Sequence, residues 1–364
     1  MTRTELAWLR LHLTPGLGRV GIRRLYSAFG TIDDVLAASN RAWREKASIR
    51  EKVTAARLAP DDRRLTEARR RLDPLSVRLL AFDDDDYPPP LAAIPDPPAL
   101  LYLRGTLPCQ NSLAIVGARH ASDPGLRLTR ELASDLARHD IEIVSGLARG
   151  VDTAAHLGAL DVEGQTIAVL GCGIDRIYPQ ENAALAKRVC ESGAIISEYP
   201  PGTAPLAGHF PARNRIISGL CRGVLIVEAA QESGSLITAD FALEQGREVF
   251  AVPGAIYSPT SQGVNRLLKE GASLVTEASD ILSQLWPAMP SRHSVCACQN
   301  FAANLDEDDA KVFVLLSETP CHIDTIARKS GLTPMDVSAI LLHLELQGGA
   351  EQRPGMHYVR GRFA

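Results

Sequence analysis

Short apolar runs recur along the middle of the chain, and amphipathic segments separate most of them. In chain order the runs are LAIVGA, IEIVSG, TIAVLG, AIISE, GVLIVEA, EVFAVPG and SLVTE. Continuous apolar runs of strand length that alternate with helical segments such as GLRLTRELASDLARH are typical of a parallel sheet covered on both faces. The pattern therefore predicts the α/β class, with a Rossmann-like, doubly wound, mostly parallel sheet over residues 111–285.

The chain before this domain shows two different patterns. Residues 1–72 place apolar side chains at helical spacing between Arg and Glu residues, which predicts a small helical domain. The turn Pro15–Gly18 indicates a SAM-like or helix-hairpin-helix unit, whose glycine turn contacts nucleic-acid phosphates, or equally a plain helical bundle. Residues 73–110 are rich in proline and acid, and proline is excluded from helix interiors. We therefore expect this segment to be a connection.

The chain after this domain begins with a linker over residues 286–303. Residues 304–364 then show three short helical patterns and a hairpin, which predicts a winged-helix domain. In such motifs the third helix can enter a DNA major groove. Here that helix carries Asp336 and Glu345 but neither arginine nor lysine. We therefore expect it to contact protein or to pack within the domain rather than to read bases.

Composition narrows the class of protein further. The chain has 364 residues, of which 45% are hydrophobic and 23% charged, and a net charge of −4. These values are typical of a globular protein and argue against one that coats duplex DNA without regard to sequence. The apolar runs are too short to span a bilayer, and the N-terminus lacks the pattern of a signal peptide. We expect a cytoplasmic protein with no membrane partner.

Seven cysteines at irregular spacing do not indicate a disulfide framework. The group His293, Cys296 and Cys298 hints at a metal, but a structural zinc site needs four regularly spaced ligands. These three residues also lie in the predicted linker. No metal site is therefore predicted.

Candidate chemistry is concentrated in the turns that follow the predicted strands. One turn places two arginines and an asparagine in FPARNRIISGL, and another, ESGSLITA, opens the next helix. Helix N-termini favour anions, and arginine binds phosphate through a planar fork. Similar chemistry follows the first two strands, in VGARHASD and SGLARGVDT. The candidate anion ligands in these turns are Gly117, Arg119, Ser145, Gly146, Gly150, His209, Arg213, Asn214, Arg215, Gly234 and Ser235.

Signatures of common nucleotide enzymes are missing from these turns. The first strand is not followed by G-x-G-x-x-G, and no acidic residue ends the second strand, so no dinucleotide cofactor is expected. The P-loop sequence is also missing. Asp152 and His156 form an i, i+4 pair that we interpret as a surface pair, while Glu228 and Asp240 are too few for a metal-dependent nuclease. Neither a catalytic residue nor a cofactor is predicted.

A series of motifs in this order closely resembles the DNA-processing protein A (DprA, also called Smf) family. They are VGAR, SGLARGVDTAAH, TIAVLGCGIDRIYP, ISEYPPG, FPARNRIISGL, SGSLITADFALEQGREVFAVPG and QGVNRLLKEGA, and they cover residues 87–285. The resemblance implies a homodimer that binds and protects single-stranded DNA and loads a RecA-type recombinase during natural transformation. It also implies a phosphate pocket formed by Arg119, Ser145, Gly146, Arg149, Arg213, Asn214 and Arg215.

A protein that binds single strands also needs flat groups on which bases stack. Phe210, directly before the arginine cluster, is the best candidate in this sequence. Tyr178 and Tyr199 are weaker candidates, which we interpret as ordinary packing or turn residues.

Two other functions fit parts of the pattern. A related Rossmann-like phosphoribohydrolase family has a P-G-G-x-G-T-x-x-E loop in a similar place. This chain has Gly234 and Ser235 in place of two of those glycines, and Phe241 in place of the catalytic glutamate. An enzyme acting on small nucleotides is therefore disfavoured. A protein-interaction scaffold with a vestigial pocket is the other alternative.

Overall fold

The computed structural model describes residues 1–108, 110–288, 305–317, 321–347 and 349–360. The chain divides into two compact units, Met1–Leu285 and Trp286–Ala364. Each unit has its own apolar core.

The first 72 residues form a bundle of short helices, as their apolar spacing predicts. The first helix begins with a capping box, in which Thr2 Oγ1 accepts the backbone N–H of Glu5 and the Glu5 carboxylate accepts that of Thr2. The bundle core contains Trp8 and Trp43 and is continuous with buried side chains of the central sheet such as Tyr102. The helices are α1 (Arg3–His12), α2 (Arg19–Phe29), α3 (Ile32–Ala37), α4 (Asn40–Ala47), α5 (Glu51–Ala55) and α6 (Arg63–Leu72).

A sheet of nine strands forms the centre of the first unit. Its strands are β1 (Arg78–Ala81), β2 (Leu100–Gly105), β3 (Ser112–Val116), β4 (Glu142–Ser145), β5 (Thr166–Leu170), β6 (Ala194–Ser197), β7 (Gly223–Ile226), β8 (Glu248–Ala251) and β9 (Ser273–Leu274). Their spatial order is β1-β2-β6-β5-β4-β3-β7-β8-β9. Neighbours from β6 to β9 pair in parallel. Each of the seven predicted apolar runs contains one of the strands β3 to β9, so the predicted Rossmann-like sheet is confirmed.

Helices on both faces cover this sheet. They are α7 (Pro89–Ala92), α8 (Asp123–Arg138), α9 (Val151–Asp161), α10 (Ala183–Ser192), α11 (His209–Leu220), α12 (Gly234–Glu244), α13 (Gln262–Lys269) and α14 (Ala278–Leu285). Short 3-10 turns occur at Asp73–Leu75, Gln180–Asn182 and Pro259–Ser261.

The segment 73–110, expected as a connection, contributes two strands to the sheet. β1 pairs antiparallel with β2, and β2 pairs antiparallel with β6. The proline-rich stretch between them is ordered, because the buried Tyr87 hydroxyl donates to the carbonyl of Pro98 at 2.9 Å. These strands were not predicted from the sequence, because their short apolar runs flank a long stretch rich in proline and acidic residues.

The strand order reverses at β3, which lies between β4 and β7. The chain runs outward from β3 to β6, then returns across the sheet to β7. Ligands of doubly wound sheets bind in the crevice beyond the carboxyl ends of the strands at such a reversal. The crevice in this fold lies beyond the ends of β3, β4 and β7.

The second unit is a winged helix, as predicted. Its helices are α15 (Glu307–Leu315), α16 (Ile323–Ser330) and α17 (Pro334–Leu346), and its strands are β10 (Cys321–His322), β11 (Ala350–Arg353) and β12 (His357–Arg360). The three strands form one sheet in the order β10-β12-β11. Met335, Leu342 and Leu346 are exposed on α17. The expectation that this helix does not read bases stays a prediction.

The predicted linker and the group His293, Cys296 and Cys298 lie largely or wholly outside the described residues. Within the described ranges, the helices are too short or too polar to cross a lipid bilayer.

Candidate nucleic-acid interface

A groove of about 760 Å³ occupies the crevice beyond the carboxyl ends of the central strands. We call it the sheet-end groove. Turns after β3, β4 and β7 line it together with the first half of α11. The predicted ligands that line this groove are Gly117, Arg119, Phe210, Arg213, Asn214, Gly234 and Ser235. Tyr178, His120 and Glu232 line it as well.

Arg213 forms the floor of the groove and is almost fully buried, with 5% of its surface exposed. Its guanidinium donates to the carbonyls of Gly146, at 2.8 Å, and Val169. A side chain at position 146 would clash with this guanidinium, so glycine is required there to make room for it. Burial lowers the pKa of Arg213, and attraction to Asp152 opposes that shift. Arg213 is therefore primarily a structural cation that shapes the groove.

Two backbone N–H groups of the turn after β4 are engaged by a carboxylate of the protein itself. The Asp152 carboxylate accepts the N–H groups of Gly146, at 3.1 Å, and Ala148, at 3.3 Å. The Ser145 hydroxyl is fully buried and donates to the carbonyl of Ile115 at 2.7 Å. Gly150 has a φ of +75°, and a side chain at this position would clash with the carbonyl oxygen of Ala118. The anion expected at this turn is the protein's own carboxylate.

Asp152 and His156 are both buried, so their interpretation as a surface pair is wrong. Asp152 is 6% exposed and His156 is 0% exposed. Burial raises the pKa of Asp152, against the opposing effect of Arg213 and the two backbone N–H donors. Burial also lowers the pKa of His156 to about 3, and its Nδ1 lies 2.7 Å from the hydroxyl of Thr166. The imidazole is therefore neutral in the folded protein.

The turn after β3 is also partly occupied by a carboxylate. Glu228, which follows β7, accepts the backbone N–H of Ser122 at 3.0 Å and the Ser122 hydroxyl. Ser122 in turn caps the first turn of α8. This bond ties two neighbouring loops together, so the N-terminus of α8 is not the anion site that its sequence suggests.

The N-terminus of α12 remains open to the groove. Ser233, Gly234 and Ser235 all line it, and the two serine hydroxyls lie 2.7 Å apart. Asn214 fixes this turn from α11 by donating to the carbonyl of Gly234 at 3.1 Å. The buried Thr238 hydroxyl also lines the groove and has no hydrogen-bond partner within the described residues. A helix N-terminus with hydroxyl donors is suited to a phosphate group.

Arg119 is the cation that faces the groove without a protein counter-ion. Neither a hydrogen bond nor an ion pair engages its guanidinium in the described part of the chain, and its Cζ lies 5.7 Å from the centre of the Phe210 ring. Tyr178, which is 45% exposed, lies 5.6 Å from the same ring. Phe210 and Tyr178 thus form an aromatic pair beside a free cation. Tyr178 was underestimated from sequence because its loop and α11 come together only in the fold.

Three other predicted residues lie outside the groove lining. Arg215 is 3% exposed, and both oxygens of Glu198 accept from its Nη2 at 2.6 Å. Arg149 is exposed and pairs with Glu181 at 2.6 and 2.8 Å. The His209 ring stacks on Tyr199 with centroids 4.2 Å apart. These positions give no geometric support to a direct phosphate contact by Arg215, which holds α11 in place instead.

Comparison with known proteins shows which family the chain belongs to. A model described as DNA recombination-mediator protein A matches residues 78–286, and a model of the DprA winged helix domain matches residues 300–356. Protein Smf of Escherichia coli is 44% identical over 299 residues, which cover 79% of this chain and 78% of that protein. The chain belongs to the DprA/Smf family.

Two solved DprA structures share the fold. DprA of Streptococcus pneumoniae matches with a TM-score of 0.69 and 37% identity, over 78% of this chain and 98% of that one. DprA of Helicobacter pylori, described for its single-stranded DNA binding mode, matches with a TM-score of 0.54 and 30% identity, over 59% of this chain and 98% of that one. The DprA/Smf fold therefore extends over the sheet and the groove described above.

Proposed function

We propose that this DprA-family protein binds single-stranded DNA in the sheet-end groove. The observation that carries the proposal is the placement of the unpaired Arg119 beside the aromatic pair of Phe210 and Tyr178. Proteins that bind single strands combine a cationic groove with aromatic faces on which bases stack. The relative from Helicobacter pylori, whose description names single-stranded DNA, supports the same ligand class.

The groove residues divide into contacts and supports in this proposal. Arg119, Phe210, Tyr178, Gly234 and Ser235 contact the strand, because their atoms line the open groove. The supporting residues, which hold the surrounding loops and α11, are Ser145, Gly146, Gly150, Arg213, Asn214 and Arg215. Gly117 lines the groove. Arg149, which pairs with Glu181, and His209, which stacks on Tyr199, are assigned no contact with the strand.

We further propose that the protein acts as a recombination mediator and not as an enzyme. It would protect incoming single strands and load a RecA-type recombinase during natural transformation, in the cytoplasm and as a homodimer. The description of the matching family model, a DNA recombination-mediator protein, supports this role. The Asp152 carboxylate in the groove is held by two backbone N–H groups and by Arg213, so it is not poised to act on a substrate.

The mediator role is tested with a labelled single strand that is coated by a single-strand-binding protein. We expect the purified protein to restore the ATPase activity of a RecA-type recombinase on this coated strand and to slow digestion of a naked strand by exonuclease. Normal DNA binding without any stimulation would refute the mediator role alone. Sedimentation at several protein concentrations tests the homodimer, and a monomer at all of them would refute it.

A further inference from the structure

A second groove lies in the helical bundle, on the outer face of α2. We call it the bundle groove. It is lined by residues of α2, of the end of α4 and of the loop after α7, and its volume is about 600 Å³. Its polar lining residues are Arg23, Arg24, Ser27, Lys46, Ser48 and Asp96.

The cations of this groove form neither a hydrogen bond nor an ion pair with a carboxylate in the described part of the protein. Arg23 and Arg24 are exposed, and neither takes part in a hydrogen bond or an ion pair there. Lys46 has an aromatic contact, with Nζ 5.5 Å from the centre of the Phe29 ring. Two successive exposed arginines and a lysine around one depression form a strongly positive surface in a chain whose net charge is −4.

The carboxylate of the bundle groove is neutralised by arginines other than these. Arg19 Nε lies 2.7 and 2.6 Å from the two oxygens of Asp96. Arg215 Nε, from α11, lies 3.4 Å from Asp96 Oδ2. Asp96 also attracts Arg23, but one carboxylate that is already paired with two arginines cannot cancel the charge of Arg23, Arg24 and Lys46. Positive charge therefore remains available to an external anion.

The same helix α11 links the two grooves. Phe210 and Arg213 line the sheet-end groove, while Arg215 reaches the acid of the bundle groove. Five residues of α-helix, from Phe210 to Arg215, advance about 7.5 Å. The two grooves are therefore joined through one short helix segment of the same compact unit.

We propose that the bundle groove binds the phosphates of a DNA strand that extends from the sheet-end groove. This inference rests on the proposed binding of single-stranded DNA. The exposed Val20, at 55%, offers an apolar contact for a sugar or base between the cations. The surface used is one face of α2 and not the glycine turn Pro15–Gly18, where the Leu17 N–H bonds to the Thr14 carbonyl. Guanidinium groups are well suited to phosphate because they donate through a planar fork.

The test compares two double variants that remove the same charge from the same bundle. R23Q/R24Q alters the groove, and R69Q/R70Q alters two exposed arginines on α6 that do not line it. Fluorescence anisotropy on the full chain measures binding of thymidine oligonucleotides of about 6 and about 40 nucleotides, since one binding fold covers roughly 4–16 nucleotides. Thermal melting checks the fold, and the side chains of neither pair form a hydrogen bond or an ion pair within the described residues.

We expect R23Q/R24Q to bind the long oligonucleotide about tenfold more weakly and the short one within about twofold of the wild type. The slope of log K against log salt for the long oligonucleotide should become shallower by about 1.4, because two phosphate contacts are lost at about 0.7 each. The R69Q/R70Q control should match the wild type on both lengths.

Two results would overturn the inference while leaving the proposed function intact. One is an unchanged affinity of R23Q/R24Q for the long oligonucleotide, and the other is an equal loss in R69Q/R70Q, which would indicate only general electrostatics. A wild-type protein that binds neither oligonucleotide would instead refute the proposed function itself.

Discussion

Replacing Arg119 by glutamine isolates the contribution of the free cation in the sheet-end groove. Arg119 has no counter-ion within the described residues, and its one recorded contact is with Phe210 at 5.7 Å. An exposed cation–π contact contributes about 0.5–1 kcal/mol, so we expect the free energy of unfolding to fall by no more than that. A change in DNA affinity larger than this small loss would then report on binding and not on folding.

The expected loss of affinity follows from the type of contact. A hydrogen bond to a charged group is worth about 1.5–3 kcal/mol, which corresponds to about a 10- to 150-fold increase in Kd for a short single strand. The slope of log K against log salt should become shallower by about 0.7, the value for one phosphate contact on a single strand. Anisotropy titrations at several salt concentrations measure both quantities.

Two matched variants serve as controls for the Arg119→Gln experiment. Arg188→Gln removes the same charge from an exposed position of α10 that does not line the groove, and should leave Kd within about twofold. Glu232→Gln removes an exposed carboxylate from the groove lining and should strengthen binding. The reasoning would be refuted if Arg119→Gln bound like the wild type, or if Arg188→Gln lost as much affinity.

Three further predictions concern the aromatic pair, the buried histidine and the winged helix. Phe210→Ala and Tyr178→Ala should each weaken binding of a short strand by about 1–3 kcal/mol, the value of one stacked base, and unchanged titrations for both would exclude a stacking role. The free energy of unfolding should fall by about 2 kcal/mol between pH 6.5 and pH 5 because of His156, whose folded pKa of about 3 means that the unfolded chain takes up the proton first. Urea unfolding of His156→Asn should lack that part of the pH dependence, and an identical slope in variant and wild type would contradict it. A chain that ends at residue 288 should bind a short strand within about threefold of the full chain, because α17 carries neither arginine nor lysine. A much larger loss in a titration would give the winged helix a direct role in binding.

The sequence predicted correctly those strands and helices whose pattern is contained in one short stretch of the chain. Seven apolar runs predicted seven parallel strands, because a strand covered on both faces must be apolar along its whole length. The winged helix was predicted in the same way from short amphipathic segments and a hairpin. Strands β1 and β2 were missed because each is short and flanks a segment of proline and acid. The pairing of β2 with β6, which attaches both strands to the sheet, is a long-range contact.

The candidate groove was located from sequence, but the roles of its residues were not. Arg215 is neutralised by Glu198 and Asp96, and the second of these lies more than 100 residues away in the chain. No local pattern reveals such a pairing. The occupation of the turn after β4 by Asp152 could have been anticipated, because an acid two residues after Gly150, in the first turn of a helix, is a candidate partner for those N–H groups.

We expect the groove of Arg119, Phe210 and Tyr178 to select a single DNA strand over a duplex. The most direct test of this selection is the affinity of the purified full chain for one oligonucleotide, measured as a single strand and as the matching duplex at the same salt concentration. Stacking on two aromatic rings requires unpaired bases, so we predict that the single strand binds at least about tenfold more tightly. Equal affinity for the two forms, or a preference for the duplex, would contradict the proposed selection of a single strand by the sheet-end groove.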